Sequence, residues 1–396
     1  MTHLINNWQT KKLGEVACCQ DGDWILSQNM QKGGDVRLIQ LGDIGDGEFL
    51  NKTSKYITSS KCRELKCTFL QTGDILLARL GDPIGKSCIV PNLPYRAITA
   101  VDCSIIRGNE RIVLQRYLLY VINSNLFRLQ IAKYITGTTR KRISRKNLEK
   151  ILVFVPPLPI QQAIVKELDV IRKLQELNNH QTSKLDELHK SLINEEIKSN
   201  KYSVAKLSEI TKPQEFTNPE KSPNDDYQYV DISAIDSENS AVDLNRIKQF
   251  KGKDAPSRAR KKIEVGDVLF STVRPNLKRI AKVDFPTFNS LASTGFAVLR
   301  PDSNKVNPDY MGTITCSGIV TDQVLPQVRG AAYPAVSDDD IFNAEIPLPE
   351  RKKQDEIAEK FTAIQECKKS LIKQGELFKE LFESTLNKLM KGELVN

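Results

Sequence analysis

Basic side chains are the residues of this chain whose type and spacing point to chemistry, and that chemistry is the binding of a polyanion. The stretch TGTTRKRISRKNLEK places six cations beside a Gly-Thr-Thr turn: Arg140, Lys141, Arg142, Arg145, Lys146 and Lys150. Such a turn can bring backbone N–H groups and cations together near phosphate oxygens. Further candidates for such contacts are Arg79, Lys86, Arg258, Arg260, Lys261, Lys262, Arg274, Lys278, Arg279, Arg329 and Tyr333. For any one cluster, the plain alternative is a solvated surface.

The chain offers little for catalysis. Of its three histidines, His3 is terminal, and His180 and His189 fall in a predicted long helix, so acid–base catalysis through histidine is not expected. The sequence contains neither a GxxxxGK[ST] phosphate loop nor an Asn/Asp-Pro-Pro-aromatic tetrapeptide. Its LGDIGDG segment is followed by a strand-like run, whereas a dinucleotide fingerprint opens a helix. The pattern predicts a binding protein without a cofactor of its own.

Composition sets the broad class. The 396 residues are 40% hydrophobic, which is enough for two or three globular domains. The formal net charge of +9 is typical of proteins that meet polyanions. Apolar runs of membrane-helix length and an apolar signal region are both missing, so we expect a cytoplasmic protein.

Cysteine number and spacing argue against disulfide bonds and against a structural zinc site. The eight cysteines contain no CxxC pair, and the length of the chain favours reduced thiols over a disulfide framework. Cys62 and Cys67 lack the second ligand pair that a structural zinc site needs. We therefore expect no metal.

An internal repeat organises the whole chain. The segment LIQLGDI matches YVDISAI, and LQTGDILLARLG matches IEVGDVLFSTVRP. Positions that match at one fixed spacing, the repeat offset, are Gly73 and Gly266, Asp74 and Asp267, Arg107 and Arg300, Gly137 and Gly330, Ser144 and Ser337, and Leu188 and Leu381. A period this long is not a solenoid; it indicates two copies of one unit, arranged like a fused homodimer.

Each copy begins as a mixed α/β globule. DVRLIQLGDI alternates as a half-buried strand does, while GDILLARLG and GDVLFSTVRP begin with a Gly-Asp turn and continue into β-rich runs. ITAVDCSIIRG and LASTGFAVLRP read as further strands. Residues 114–134 have helical spacing, with Leu118, Ile122, Leu126 and Leu129 on one side. The predicted globule is a twisted sheet with helices packed on it.

Each copy ends in a long helix. The segments PPLPIQQAIVKEL and PLPERKKQDEIAEKF place proline where a helix tolerates it, at the first turn. The apolar stripes that follow are Ile164, Leu168, Ile171, Leu185, Leu188 and Leu192 in the first helix, and Ile357, Phe361, Ile364, Leu371, Phe378 and Leu381 in the second. At roughly 35 residues, each helix would be about 50 Å long. Two-fold pseudo-symmetry would pair them as an antiparallel coiled coil with one globule at each end; two independent helical tails are the alternative.

These patterns give four segments. Residues 1–155 form the first globule, 156–200 the first long helix, 201–346 the second globule and 347–396 the second long helix. The fold class is mixed α/β, with two pseudo-symmetric globules and two long helices.

The order of these motifs resembles the specificity subunit of type I DNA restriction–modification systems. KLGEV and KLSEI resemble the opening of each recognition domain in that family, TGDILLAR and VGDVLFSTVR its strand motif, and KLMKGEL its usual C-terminus. The resemblance covers essentially the whole chain. One departure stands out, since PERKKQDEI in the second copy reads as longer than PIQQAI in the first, which leaves the start of the second helix open.

The resemblance implies a division of labour. Each globule would read one half of a split site on double-stranded DNA, while the helices would set the gap and dock two modification (methyltransferase) subunits. Those subunits would bring S-adenosylmethionine, and restriction subunits would bring ATP and Mg; this chain would bring no catalysis. Two alternatives remain, a coiled-coil scaffold that binds no DNA and an enzyme whose motif escapes notice.

Overall fold

The computed structural model describes residues 8–198, 202–330 and 332–390. Its chain divides into two compact units, Met1–Asn179 with Lys373–Asn396, and His180–Ile372, called unit 1 and unit 2 below. Each unit therefore combines one predicted globule with a part of both long helices. The boundaries of the compact units differ from the predicted segment boundaries for this reason.

Unit 1 contains three sheets. Its strands are β1 (Gln9–Lys12), β2 (Ala17–Asp21), β3 (Val36–Ile39), β4 (Lys55–Ile57), β5 (Ile75–Ala78), β6 (Ser87–Ile89), β7 (Arg96–Thr99), β8 (Cys103–Gly108) and β9 (Leu152–Val155). They form sheets of order β2-β8-β5-β6, β4-β3-β7 and β1-β9, in which only the β3–β7 pair of the described strands is parallel. The helices are α1 (Leu13–Val16), α2 (Ser59–Glu64), α3 (Gln115–Asn123), α4 (Asn125–Lys133), α5 (Arg145–Leu148) and the first part of α6 (Leu158–Leu192).

Unit 2 repeats this plan. Its strands are β10 (Val204–Lys206), β11 (Thr211–Lys212), β12 (Asp226–Val230), β13 (Ile235–Asp236), β14 (Ala241–Val242), β15 (Lys248–Lys251), β16 (Ala259–Lys262), β17 (Val268–Ser271), β18 (Ile280–Lys282), β19 (Ser290–Ser293), β20 (Phe296–Pro301) and β21 (Glu345–Pro347). The sheets have the orders β11-β20-β17-β18, β15-β12-β19-β16, β10-β21 and β13-β14. Helices α7 (Leu207–Ile210), α8 (Pro308–Cys316), α9 (Ile319–Val324), α10 (Asp338–Phe342) and α11 (Arg351–Met390) follow, while α6 ends in a π-helical turn, Ile193–Lys198.

The KLGEV and KLSEI motifs open each globule with the same short helix. The backbone N–H of Lys12 donates to Glu15 Oε2 over 2.8 Å, and that of Lys206 donates to Glu209 Oε2 over 3.0 Å. Each carboxylate thereby satisfies a backbone N–H group at the helix entry. The leucine that follows the lysine is fully buried in both copies, so each motif fastens the chain to its own core.

The Gly-Asp motifs are also structural. Gly73 and Gly266 have φ angles of +93° and +95°, a conformation that favours glycine. The aspartate after the first glycine receives two hydrogen bonds from Arg107, of 2.7 and 2.8 Å. In unit 2, Arg300 makes the same pair of bonds to Asp267 at 3.0 Å each. The motif therefore locks β5 to β8 and β17 to β20.

A buried glutamine anchors each long helix to its globule. Gln161 Oε1 accepts from the backbone N–H of Leu114 at 2.8 Å, and Gln354 Oε1 accepts from that of Asn307 at 2.8 Å. The amide groups donate to the carbonyls of Pro156 and Pro349, at 2.7 and 2.8 Å. Every one of these pairs keeps the repeat offset. A buried amide that is fully hydrogen-bonded fixes the helix entry in one geometry.

The two helix entries are equivalent. Helix α6 begins at Leu158 and helix α11 at Arg351, and these positions correspond at the repeat offset. The expected departure in the second entry is therefore wrong. It arose from matching PLP to PLP, whereas the matching residues are the prolines at positions 156 and 349. Helix α6 has the expected 35 residues, and α11 has 40.

The helices pair within each unit. In unit 1, Gln175 Nε2 donates to Phe378 O at 3.2 Å, and the Arg172 guanidinium lies 5.7 Å from the Phe382 ring centroid. In unit 2, Asp186 pairs with Lys368 at 2.8 Å, and Glu196 pairs with Lys353 at 2.9 Å. In both units the residue number falls along α11 as it rises along α6. The expected antiparallel pairing is confirmed.

The predicted stripe residues fall into two groups. Ile164 and Leu168 are buried with Leu386 and Leu389 in the core of unit 1, and Ile357 and Phe361 are buried with Ile193 and Ile197 in that of unit 2. Ile171 and Ile364 are also buried, while Leu185, Leu192, Leu371 and Phe378 are half-buried.

Leu188 and Leu381 do not belong to the helix seam. They are 46% and 48% exposed, so their placement in the stripe was wrong. The next residue fills the seam in both helices. His189 stacks edge-on against Phe361 at 4.9 Å between centroids, and Phe382 contacts Tyr120 at 5.9 Å. The repeat misled the prediction because it carries the same error from one copy to the other.

Two predictions within the globules need correction. Residues 114–134 form two helices, because Ser124 ends α3 and its hydroxyl accepts from the N–H of Phe127 as the cap of α4. Leu129 is consequently 64% exposed. Strand β3 is buried on both faces, since Val36 and Leu38 belong to one hydrophobic cluster, Ile39 belongs to another, and Arg37 is buried beside Asp43 at 3.6 Å.

Candidate nucleic-acid interface

Two loops lie side by side in unit 1. Loop 81–86 joins β5 to β6, and loop 136–142 is closed by mutual hydrogen bonds of 2.9 Å between the backbones of Thr136 and Arg142. Leu80 forms a β-bridge with Arg142, and the N–H of Ile143 donates to Arg79 O at 3.1 Å. These contacts hold the two loops together as one surface, the paired loops of unit 1.

Unit 2 has the equivalent surface. Loop 274–279 joins β17 to β18, and loop 329–335 is closed by mutual bonds of 2.9 Å between Arg329 and Ala335. Val273 bridges to Ala335, and the N–H of Val336 donates to Thr272 O at 2.9 Å. Each bond repeats its unit 1 counterpart at the repeat offset. The two units thus present the same loop framework, the paired loops of unit 2.

The cations on the paired loops of unit 1 face solvent. Arg140, Lys141 and Arg142 are exposed, and their side chains form no hydrogen bond or ion pair with other residues that the structure describes. Lys146 is exposed on α5, and Lys86 is half-buried at the end of its loop. Gly137 has a φ of +94°, and a Cβ there would lie 2.6 Å from Arg140 O, so the turn requires glycine. These side chains are exposed, and their contact with DNA stays a prediction.

Two cations predicted for this surface form ion pairs with acidic residues of the same unit. Arg79 pairs with Asp21 at 3.2 Å and donates to the carbonyl of Val101. Arg145 approaches Asp21 at 3.7 Å and Glu149 at 3.9 Å. Arg79 acts as internal packing because its side chain is only 12% exposed. For Arg79 the expectation of a free cation was wrong.

The paired loops of unit 2 carry a different set of side chains. Arg274 and Lys278 are exposed, with φ angles of +50° and +48°, and Tyr333 is 77% exposed. Arg279 donates to the carbonyl of Ile232 at 2.8 Å. Arg329 pairs with Asp340 at 3.3 Å.

The Asp340 carboxylate has a lowered pKa. Hydrogen bonds from Ser337 hold the pKa of Asp340 below its usual range, and Arg329 adds to the effect. The one cation of loop 329–335 is therefore paired with a carboxylate, whereas loop 136–142 has three exposed cations. Phosphate oxygens would be attracted to the two loops unequally.

The second basic cluster of unit 2 lies mostly on strand β16 and is largely paired. Arg260 contacts Glu220 at 3.1 Å, and Lys262 contacts Glu215 at 3.2 Å, an interaction that lowers the pKa of that carboxylate. Lys261 is buried, where it pairs with Asp338 and donates to Phe296 O at 2.6 Å. The choice of Lys261 as a surface cation was wrong. Arg258 precedes the strand and is exposed.

Sequence reasoning missed several exposed aromatic residues, among them Trp24 and Phe216. Trp24 is 70% exposed, next to Asp23, whose carbonyl accepts from the N–H of Val101. Phe216 is 64% exposed, and its ring centroid lies 5.7 Å from the Lys261 ammonium. The DGDW turn around Trp24 was the available signal.

Other site chemistry is not found in the described part of the chain. No group of three or more metal-ligating side chains is present among those residues, and all eight cysteines are free thiols. None of the described helices is both long and apolar enough to cross a membrane.

Comparison with known proteins identifies the repeat. A family model described as the type I restriction modification DNA specificity domain matches residues 5–187 and again residues 197–377. Over 114 residues the chain is 29% identical to the HindI type I restriction enzyme specificity subunit of Haemophilus influenzae, a match that spans 28% of this chain and 25% of that protein. Over 409 residues it is 22% identical to a Methanocaldococcus jannaschii protein that carries the provisional name of the MjaX type I restriction enzyme specificity subunit; 99% of this chain and 94% of that protein are covered.

The fold has a solved counterpart. The crystal structure of the type I restriction–modification S subunit from M. genitalium superposes with a TM-score of 0.60 at 12% identity. The superposition covers 98% of this chain and 97% of that one. At this level of identity the likeness concerns the fold.

Proposed function

The chain belongs to the type I restriction modification DNA specificity family, and from that premise we propose that each globule reads one half of a bipartite site on double-stranded DNA. The paired loops of each unit are the reading surface. They are equivalent in backbone and different in side chains, as two readers of unlike sequences would be. This combination is the observation that carries the proposal.

Phosphate contacts and base contacts have separate sources in this proposal. Arg140, Lys141 and Arg142 supply cations for the phosphate backbone in unit 1, and Arg274 and Lys278 do so in unit 2. Such contacts fix position, whereas base edges in the major groove decide sequence. Tyr333 adds an exposed aromatic ring to the paired loops of unit 2. The scaffold alternative without DNA binding has no place for two equivalent, solvent-facing loop pairs.

Spacer length and partner docking belong to the helices in this proposal. Helix α6 is 35 residues long, which corresponds to about 52 Å at 1.5 Å per residue. In unit 1, Val170, Leu174 and Leu177 form an apolar row at helical spacing and are 55%, 39% and 51% exposed. Apolar rows that solvent reaches are typical of protein interfaces. We assign this row to a modification (methyltransferase) subunit.

Catalysis would come from partners. The modification subunits bring S-adenosylmethionine, and restriction subunits bring ATP and Mg, so the chain contributes sequence choice to an assembly that works on DNA in the cytoplasm.

The test is the methylation pattern of DNA from cells that express the chain with its modification subunits. We expect one bipartite motif with a fixed gap. Exchange of residues 1–155 for those of a relative should change one half of the motif and leave the other half and the gap intact. A complex that assembles yet leaves DNA unmethylated at any bipartite motif would contradict the proposal, as would an exchange that alters both halves.

A further inference from the structure

Besides the Gln161 anchor and the pairing of Asp169 with Arg116, helix α6 contacts the loop between β3 and β4 through Arg172. Arg172 donates from Nη1 to Gly47 O at 2.7 Å and from Nη2 to Asp46 O at 3.2 Å. Gly47 has a φ of +81°, and a Cβ at this position would lie 1.8 Å from Nη2. The loop that contains Asp46 and Gly47 joins β3 to β4, so the arginine reaches from the helix to the tip of the globule. The fit depends on glycine for both conformation and space.

Aromatic rings hold the guanidinium in place. Its central carbon lies 5.7 Å from the centroids of Tyr120, on α3, and of Phe382, on α11. Contacts of this kind attract a cation to the ring face. Arg128 on α4 pairs with the Asp46 side chain and steadies the loop from the other side. Arg172 therefore sits where two helices and the globule meet within unit 1.

The tie continues to the paired loops. The N–H of Gly47 donates to Ser87 O at 2.7 Å. Ser87 is the first residue of β6 and directly follows loop 81–86. Asn123 holds the same residue from α3, since it accepts from the Ser87 N–H at 3.3 Å and donates to its carbonyl at 3.2 Å. Two consecutive backbone contacts thus connect the helix to a reading loop.

Unit 2 lacks this tie. At the repeat offset, Gln365 replaces Arg172 and Ser240 replaces Gly47. Ser240 keeps a positive φ of +50°, so the loop turns in the same way. Gln365 is exposed, and its side chain makes no hydrogen bond to any residue in the described part of unit 2. The loop is repeated and the tie is not.

We propose that Arg172 is a positioning residue, which fixes loop 81–86 relative to helix α6 and so decides how strictly the first half-site must be spaced from the second. This rests on the proposed function, in which the helices measure the gap and the paired loops read DNA. One base pair displaces a half-site by about 3.4 Å along the duplex and rotates it about the axis. The Arg172 contacts resist that change at loop 81–86, and without them the loop can follow it more readily while Gln161 still anchors the helix.

The experiment compares Arg172→Gln with Lys173→Gln in the assembled complex with its modification subunits. Gln is the residue that unit 2 has at the equivalent position. Lys173 is an exposed neighbour, and its replacement by Gln removes the same charge from the same helix. Methylation rates are measured on duplexes with the native gap and with gaps one base pair shorter or longer. For R172Q we expect the preference for the native gap to fall about tenfold, equivalent to about 1.4 kcal/mol. K173Q should keep the wild-type preference.

Gly47→Ala tests the same tie from the globule. This variant keeps Arg172 in the sequence and displaces its guanidinium from the loop. It therefore carries the test if R172Q fails to assemble. Its loss of gap preference should equal that of R172Q, and the double variant should lose no more than either single one. Wild-type gap preference in R172Q, or an equal loss in K173Q, overturns the inference while the proposed function stands. A wild-type complex with no bipartite preference overturns both.

Discussion

The two units share their internal hydrogen bonds and differ in the groups they show to solvent. Tyr117 donates to Phe154 O at 2.9 Å, and Tyr310, its counterpart in the repeat, donates to Pro347 O at 2.7 Å. Outside, Arg140 to Arg142 of one unit correspond to Tyr333 to Ala335 of the other. A duplicated chain therefore separates scaffold from reader without reference to any other protein. Groups kept in both units hold the fold, and the candidate readers lie among the exposed groups that differ.

The largest expected effect tests the scaffold. Asp267→Ala removes two hydrogen bonds of 3.0 Å from Arg300, whose side chain is 10% exposed and which keeps Glu215 at 2.6 Å, so we expect a loss of about 2–3 kcal/mol in the stability of unit 2. Burial raises the pKa of Asp267 although Arg300 opposes it, which marks a desolvated pair. Asp74→Ala should cost unit 1 roughly half as much, because Arg107 is 35% exposed and water can replace its partner.

Hydrogen exchange with mass spectrometry resolves the two units separately. Lys262→Ala is the control, because its ion pair with Glu215 is solvent-exposed and should be worth less than about 1 kcal/mol. If the two aspartate variants lost equal stability, the difference in burial between Arg300 and Arg107 would not affect the strength of this motif. The expected difference between the units would then be wrong.

The next effect tests the readers. Replacement of Arg140, Lys141 and Arg142 by alanine removes three exposed cations, so the slope of log affinity against log salt should become shallower by about 3. Tyr333→Ala should weaken binding with the slope unchanged, since no charge is lost. DNA binding by the assembled complex, titrated between low and moderate salt, measures both.

A charge-matched control is available on α11. Lys352, Lys369 and Lys373 are exposed and form no ion pair with any described residue. Their triple alanine variant changes the net charge equally and should leave the slope near the wild-type value. If both triple variants reduce the slope alike, net charge rather than the loop surface governs binding.

The scaffold was predictable because the repeat supplied its own check. A fixed offset pointed to Asp74 and Asp267, to Arg107 and Arg300, and to the two helices, and local rules for turns and helix entries explained most of the rest. What the repeat did not supply was the register of the seam. Leu188 and Leu381 seemed to confirm each other only because one misplacement had been copied.

The readers were less predictable because exposure is a tertiary property. Lys261 belongs to a basic run, yet it is buried in an ion pair with Asp338, which is distant in the sequence. Arg79 likewise forms an ion pair with Asp21, which is distant in the sequence. Arg140, Lys141 and Arg142 were found because they are consecutive in a turn that cannot bury all of them. Trp24 was missed since a lone tryptophan is more often a core residue.

The smallest expected effect concerns the helix pair, at a position where unit 2 has a titratable side chain and unit 1 has none. His189 in unit 2 lies against Phe361, with Lys368 and Asp186 nearby, while Phe382 takes the equivalent position in unit 1. Burial, and then Lys368, lower the pKa of His189 from its ordinary value of 6.5, and Asp186 opposes them. The folded state thus binds this proton less readily than the unfolded one. The resulting stability is complete above pH 6.5 and is lost as the pH falls below that value.

Hydrogen exchange corrected for intrinsic rates should therefore show residues 180–192 of α6 losing protection between pH 7.5 and 5.5, and residues 158–179 keeping theirs. His189→Phe copies the unit 1 side chain and should abolish the difference, because the seam then contains no group that titrates in this range. His180→Gln, an exposed change on the same helix, should leave it in place. Protection that falls equally in both parts of α6, or that still falls in H189F, would assign the pH response to other groups and leave the two halves of the seam alike.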